Sequence, residues 1–257
     1  MRQERRPLVA GNWKMHHGGA SGVDLAGQIV RDAAGAPHVD IVIAPPFTAL
    51  AACAHECHDS RVEVAGQNLY PKDAGAYTGE ISPRMLLDAG CSWVIVGHSE
   101  RRHHFHESDA FVAHKVMAAL GAGLMPIVCV GETLVEHEEG RALAVVERQV
   151  HAFLAILAEA ARPVAVAYEP VWAIGTGKNA GPAEAQEVHA AIRGWMARVS
   201  AELASGTRIL YGGSVKPDNA HDLLAAPDVD GALVGGASLD APSFAAIVRA
   251  AEALASR

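Results

Sequence analysis

Met125-Pro126-Ile127-Val128-Cys129-Val130-Gly131 is a short, unbroken apolar run ending on glycine, and Thr133 then opens a periodic mixture of polar and apolar residues that continues to about Leu157. A run that is apolar throughout, rather than at every second position, suits a strand buried on both faces, as in a parallel sheet. The stretch behind it carries helical periodicity and begins on a threonine, a good helix-capping residue. One strand followed by one helix is therefore the unit to seek on either side.

Seven further short, β-rich and mostly continuous apolar runs stand at residues 7–12, 39–44, 61–67, 93–97, 163–169, 208–212 and 231–235. Between them, Ser82-Pro83 opens a helix that Gly90 closes, Ser108 opens another, and Pro182 and Pro217 occupy first-turn positions. Eight strands, each followed by a helical segment, predict an α/β protein folded as a single (β/α)8 barrel, one catalytic domain spanning residues 1–257. A doubly wound open sheet is the competitor. It calls for a glycine fingerprint directly after the first strand, where Asn12-Trp13-Lys14 stands instead. No Pro/Gly/Ser-rich linker divides the chain.

Half of the 257 residues are hydrophobic and no segment is low in complexity, so a sizeable core is expected. The formal charge of −8 argues against nucleic acid or an anionic membrane as partner. A small anionic substrate must then be held by local donors against the overall field. The N-terminus is charged, and no apolar run approaches the roughly 18 residues of a membrane span, so a cytoplasmic protein is expected. The four cysteines are unevenly spaced and make no disulfide framework. In the cluster Cys53, His55, Cys57, His58, the thiols share a helix face while His55 points elsewhere, so no metal site is expected. The run His103-His104-Phe105-His106 reads as a solvated loop or helix edge.

In a parallel barrel the chemistry gathers at the C-terminal ends of the strands. Those ends supply Asn12 and Lys14, then His98, then Glu169, with glycine-rich loops after the seventh and eighth strands. A cation, a histidine, a carboxylate and backbone amides, without a paired nucleophile, suit proton abstraction beside a carbonyl, with an anionic tail gripped elsewhere. Gly212-Gly213-Ser214 and Gly235-Gly236, with a short turn at 237–240, match the phosphate site of this architecture. Gly175-Thr176-Gly177-Lys178 is no Walker motif, because Trp172 and Asn179 occupy its Gly and Ser/Thr positions. A mobile lid over 170–180 is the better reading.

Five segments together resemble the triosephosphate isomerase family: 11–15 (Gly-Asn-Trp-Lys-Met), 97–102 (Gly-His-Ser-Glu-Arg-Arg), 168–178 (Tyr-Glu-Pro-Val-Trp-Ala-Ile-Gly-Thr-Gly-Lys), 211–215 (Tyr-Gly-Gly-Ser-Val) and 233–239 (Leu-Val-Gly-Gly-Ala-Ser-Leu). The resemblance implies cofactor-free interconversion of dihydroxyacetone phosphate and D-glyceraldehyde 3-phosphate through an enediol(ate), in glycolysis and gluconeogenesis. It implies Glu169 as the base, His98 as hydrogen-bond donor to the substrate oxygens, and Lys14 and Asn12 as stabilisers of negative charge. It implies phosphate contacts from the amides of Gly175, Ser214, Gly235 and Gly236, and lid-closing hydrogen bonds from Tyr211 and Ser214. It also implies a homodimer through the loop 68–80, with Thr78 near Asn12 and Glu80 near Arg101 of the other subunit. His16 stands where relatives commonly carry Asn, and Asn179 fills a variable position of the lid hinge.

Two other readings of the strand ends remain: an aldolase forming a Schiff base through Lys14, and a barrel that binds phosphate without catalysis. The position of His98, just ahead of Ser99-Glu100-Arg101, also suggests the start of a short helical turn, whose amides favour a neutral, donating imidazole.

Overall fold

The computed structural model describes residues 5–159, 164–173 and 180–256. Eight parallel strands form one closed barrel in chain order, with the eighth paired back to the first. They are β1 (Leu8–Asn12), β2 (Asp40–Ala44), β3 (Val62–Gly66), β4 (Trp93–Val96), β5 (Met125–Val130), β6 (Ala165–Tyr168), β7 (Arg208–Tyr211) and β8 (Gly231–Val234). Each lies within one of the eight predicted runs. This is the TIM-barrel fold, with helices between the strands.

Period two along each strand divides the core into two layers. Leu8, Ala10, Val42, Ala44, Ile95, Ile127, Cys129, Ala165, Ala167, Leu210 and Leu233 fill the barrel interior with Ala65 and Trp93. Their neighbours Val9, Ile41, Ile43, Val94, Val128 and Val166 pack outward beneath the helices, in a larger cluster that includes Ile29, Val116, Phe153 and Ile192. Both faces are dry, which is why the strands read as continuous apolar runs. Fully burying one such aliphatic side chain contributes about 1.5–3 kcal/mol.

The same alternation carries past the rim. Residues 8, 10 and then 12, or 165, 167 and then 169, share the inward phase, so Asn12 and Glu169 are the next inward positions on β1 and β6. Gly212 and Gly235 hold that position on β7 and β8. His98 breaks the phase of β4, and Gly97, at φ +70°, supplies the reversal.

Helix starts follow the capping signals. Ser82 accepts from the Met85 amide at 3.2 Å and Ser108 from Phe111 at 3.2 Å, opening the helices Pro83–Asp88 and Asp109–Ala122. Pro182 is the first residue of the helix Pro182–Val199. Two expectations need correction. Pro217 lies in a turn ahead of the helix Ala220–Leu224 rather than in its first turn. The stretch from Thr133 is two helices, Leu134–Glu138 and Ala142–Ala158, because Gly140 takes a left-handed φ of +68° between them.

Candidate active site

One cleft of about 730 Å³ at the C-terminal mouth of the barrel brings together Asn12, Lys14, His98, Glu169, Ser214, Gly235 and Gly236. Of the residues expected at the site, only Gly175 lies outside the described residues, as does the lid tip at 174–179.

Lys14 is held by its backbone. It adopts a left-handed φ of +51°, a conformation that costs a non-glycine residue about 1–3 kcal/mol. Asn12 Oδ1 accepts from its amide at 3.0 Å, and Gln67 Nε2 donates to its carbonyl at 2.8 Å while also donating to Ala44 at 2.8 Å. The strain is thus fixed from β1, β2 and the end of β3. The Lys14 ammonium meets Glu100 Oε1 at 2.6 Å, and its chain passes beside Gly235.

His98 caps the helix Ser99–His104: its Nδ1 accepts from the Glu100 amide at 3.2 Å, which leaves Nε2 as the nitrogen carrying hydrogen. Nε2 donates to Glu169 Oε1 at 2.9 Å. Burial works against a charged ring, but the Glu169 carboxylate, helped by Glu100, outweighs it and holds the His98 pKa above its ordinary value. The helical turn expected at His98 is present. Glu169 across the cleft, which the sequence expectation did not include, pulls the ring toward charge.

Glu169 is buried, and burial pulls its pKa upward. His98, the Ser99 amide donating to Oε2 at 2.8 Å, and Lys14 together hold it below the ordinary glutamate value, so it stands as a carboxylate. Its flanks are bare backbone. A Cβ on Gly212 would sit 2.8 Å from Glu169 Cγ, and one on Gly131 would strike the Glu169 carbonyl.

Across the cleft, Gly236–Leu239 forms a single 3-10 turn after β8, closed by Ser238, whose amide donates to the Gly235 carbonyl at 2.8 Å and whose hydroxyl donates to it at 2.7 Å. Asn219 Nδ2 donates to the Ser214 carbonyl at 3.0 Å and braces the β7 loop. At the foot of the expected lid, Val171–Ala173 is one 3-10 turn. Trp172 Nε1 donates to buried Glu132 at 2.7 Å, and its ring stacks on His137. At the far end, the Tyr211 hydroxyl donates to the Ala180 carbonyl at 3.4 Å.

Gln67, Gly131 and the Ser99 amide were not anticipated, and Gly212, expected only in the phosphate loop, also walls Glu169. Only Gln67 had a visible signal, as a polar residue closing the apolar run 61–67. Among the cysteines, Cys53 and Cys57 share the inner face of the helix Leu50–Cys57, and His55 faces solvent. Burial pushes their thiols up to about 11 and about 12, so both stand protonated beneath the helix.

A family model described as triosephosphate isomerase matches residues 7–251. The chain is 55% identical over 245 residues to the triosephosphate isomerase of Moorella thermoacetica, covering 95% of this chain and 98% of that one. It is 51% identical over 246 residues to that of Chloroflexus aurantiacus, with 95% and 98% covered. With that of Herminiimonas arsenicoxydans it shares 52% over 248 residues, 96% and 100% covered. These likenesses support neither an aldolase nor a silent phosphate-binding barrel.

Proposed function

The chain belongs to the triosephosphate isomerase family, and on that premise we propose how its residues interconvert dihydroxyacetone phosphate and D-glyceraldehyde 3-phosphate. Glu169 takes a proton from C1 of the ketone and returns one to C2 through an enediolate, using no cofactor. His98 donates from Nε2 to the substrate oxygens in turn. Lys14 and Asn12 stabilise charge that develops on those oxygens, where fixed donors contribute most. The phosphate lies against the loops after β7 and β8, bound by the amides of Ser214, Gly235, Gly236 and, from the lid, Gly175. Closure of the segment 170–180, latched by Tyr211 and Ser214, excludes water and protects the enediolate from losing phosphate.

One observation carries this reading: His98 Nε2 and Glu169 Oε1 meet at 2.9 Å in the cleft that also holds Lys14 and the glycine loops. The upward pull on His98 comes chiefly from that contact, with a smaller share from the Glu100 carboxylate. Once Glu169 leaves to accept a substrate proton its share is lost, while burial, Lys14 and the Glu100 amide on Nδ1 remain and favour a neutral donor. Replacing Glu169 with Gln preserves shape and removes proton acceptance, so turnover should fall by about 10²–10⁴ or more with folding unchanged. Turnover within a few-fold of wild type, in a coupled assay, would place the base elsewhere.

We also propose one catalytic domain over residues 1–257 and a homodimer through the loop 68–80. The loop closes at its base by the Tyr70 amide donating to the Ile81 carbonyl at 2.8 Å, and residues 72–80 beyond that base are exposed. Met15 is 93% exposed, and Phe47, Tyr77, Met85 and Phe105 are also open, apolar side chains that a partner subunit would cover. Among the described residues no helix is long and apolar enough to cross a membrane. We place the enzyme in the cytoplasm, where glycolysis runs.

A further inference from the structure

Gln149 lies on the helix Ala142–Ala158, where every other buried residue is apolar. A buried carboxamide is costly there unless both its ends are bonded. Both are spent on one residue: Gln149 Oε1 accepts from the Gly131 amide at 2.7 Å, and Nε2 donates to the Gly131 carbonyl at 3.1 Å.

Gly131 is the first residue beyond β5, opposite Glu169. Pairing between β5 and β6 continues past the barrel rim: the Glu169 amide donates to the Val130 carbonyl at 2.7 Å, and the Val171 amide donates to the Glu132 carbonyl at 3.1 Å. In a parallel ladder, alternate residues turn their N–H and C=O to opposite neighbours. Residues 130 and 132 face β6, so Gly131 faces the β4 side. There the chain has turned away at Gly97 into the helix Ser99–His104, and no strand remains to receive those bonds. The Gln149 carboxamide supplies both. Gly131 also packs so closely on the next strand that an added Cβ would collide with the Glu169 carbonyl.

We propose that Gln149 is a positioning residue for Glu169: its carboxamide replaces the missing strand at Gly131, and Gly131 fixes the backbone from which the base projects. The inference rests on Glu169 being the base. It also accounts for a polar side chain on the dry face of a helix.

Gln149→Met fills the space and removes both bonds. The expected result is a fall in kcat of about tenfold to a hundredfold with KM within about threefold, because a small displacement of the base affects the chemical step while the phosphate loops follow β7 and β8. Partial unfolding would also lower apparent kcat at unchanged KM, so kcat is taken per folded enzyme, with the folded fraction of each variant measured by circular dichroism under assay conditions. Gln149→Glu covers the case in which the first variant fails to fold. Protonated, its carboxyl again donates to the Gly131 carbonyl and accepts from the Gly131 amide; ionised, it turns an acceptor toward that carbonyl. Its kcat relative to wild type at the same pH should rise by about fivefold or more from about pH 8 to about pH 5.5 as the buried carboxyl takes up a proton. A wild-type kcat in Gln149→Met, or a ratio for Gln149→Glu that is flat across this range, overturns the inference. Glu169→Gln separates the two layers. If it is inactive while the Gln149 variants behave as wild type, the positioning role alone fails. If it retains turnover, the base assignment fails and this inference with it.

Discussion

His189 is fully buried on the helix Pro182–Val199, with its ring set edge-on to Tyr168 and tilted against Tyr211. Nδ1 meets the Asp228 carbonyl at 3.2 Å, which makes it the nitrogen that carries hydrogen, and Nε2 is buried without a partner among the described residues. A second proton would have to sit on that enclosed nitrogen. Burial accordingly pushes the pKa from 6.5 down to about 4. In the unfolded chain the ring protonates normally. The stability from a neutral, buried His189 is therefore fully present above about pH 6.5 and lost as pH falls from there toward about 4.

About 2.5 pH units separate the two values, and each is worth about 1.36 kcal/mol, so the full loss is about 3.4 kcal/mol. Roughly 2.5 kcal/mol of it is gone by about pH 4.5. His189→Asn keeps a donor near the Nδ1 position, removes the titration and leaves a small void beside the tyrosines. The variant should be less stable than wild type at neutral pH by about 1–2 kcal/mol. The two stability curves should then converge and cross between about pH 6 and about pH 5. Urea unfolding at a series of pH values and fixed protein concentration measures this directly. Curves that stay parallel within about 0.5 kcal/mol, or an NMR titration of His189 near the ordinary histidine value, would refute the reasoning.

Two further outcomes follow from contacts already described. Gly212→Ala places a methyl 2.8 Å from Glu169 Cγ and 3.1 Å from the Tyr168 carbonyl, so the proposed base must shift. Turnover should drop about tenfold or more by steady-state assay, and wild-type turnover would show the base to be indifferent to that wall. Shortening the loop 68–80 should give monomers of lower activity and stability, since an apolar interface becomes exposed. Sedimentation of the intact protein as a fully active monomer at assay dilution contradicts the dimer.

The strands were legible because most of their residues are dry on both faces and write nearly continuous apolar runs, with Glu63 the polar interruption in β3. The helices were less so: Gly140 interrupts a stretch that keeps helical periodicity on either side of it. Asn12, Lys14 and Glu169 stand out as polar residues at or just past the ends of apolar runs. The inward turn of His98 depends on a positive φ at Gly97, which an ordinary strand-end glycine does not announce. Gln67 and Gln149 act on backbone groups of Lys14 and Gly131, far from them in sequence. A lone Gln inside a helix reads as a solvent-facing residue until its contacts are seen.

Both oxygens of Glu169 are occupied at rest, Oε1 by His98 and Oε2 by the Ser99 amide. A base with both oxygens engaged must give up at least one contact before it can take a proton from carbon. Each such bond to a charged group is worth about 1.5–3 kcal/mol, so the exchange is a real charge against binding. It is also productive. The Nε2 hydrogen that holds the carboxylate is the one the proposed mechanism turns toward the substrate oxygen, so one movement frees the base and the donor together. The Ser99 amide is fixed in the first turn of its helix and cannot follow. What keeps the resting carboxylate ionised thus divides into a part that stays behind and a part that moves to the substrate. Glu169 should become more basic as it leaves them, at the moment when a proton is within reach.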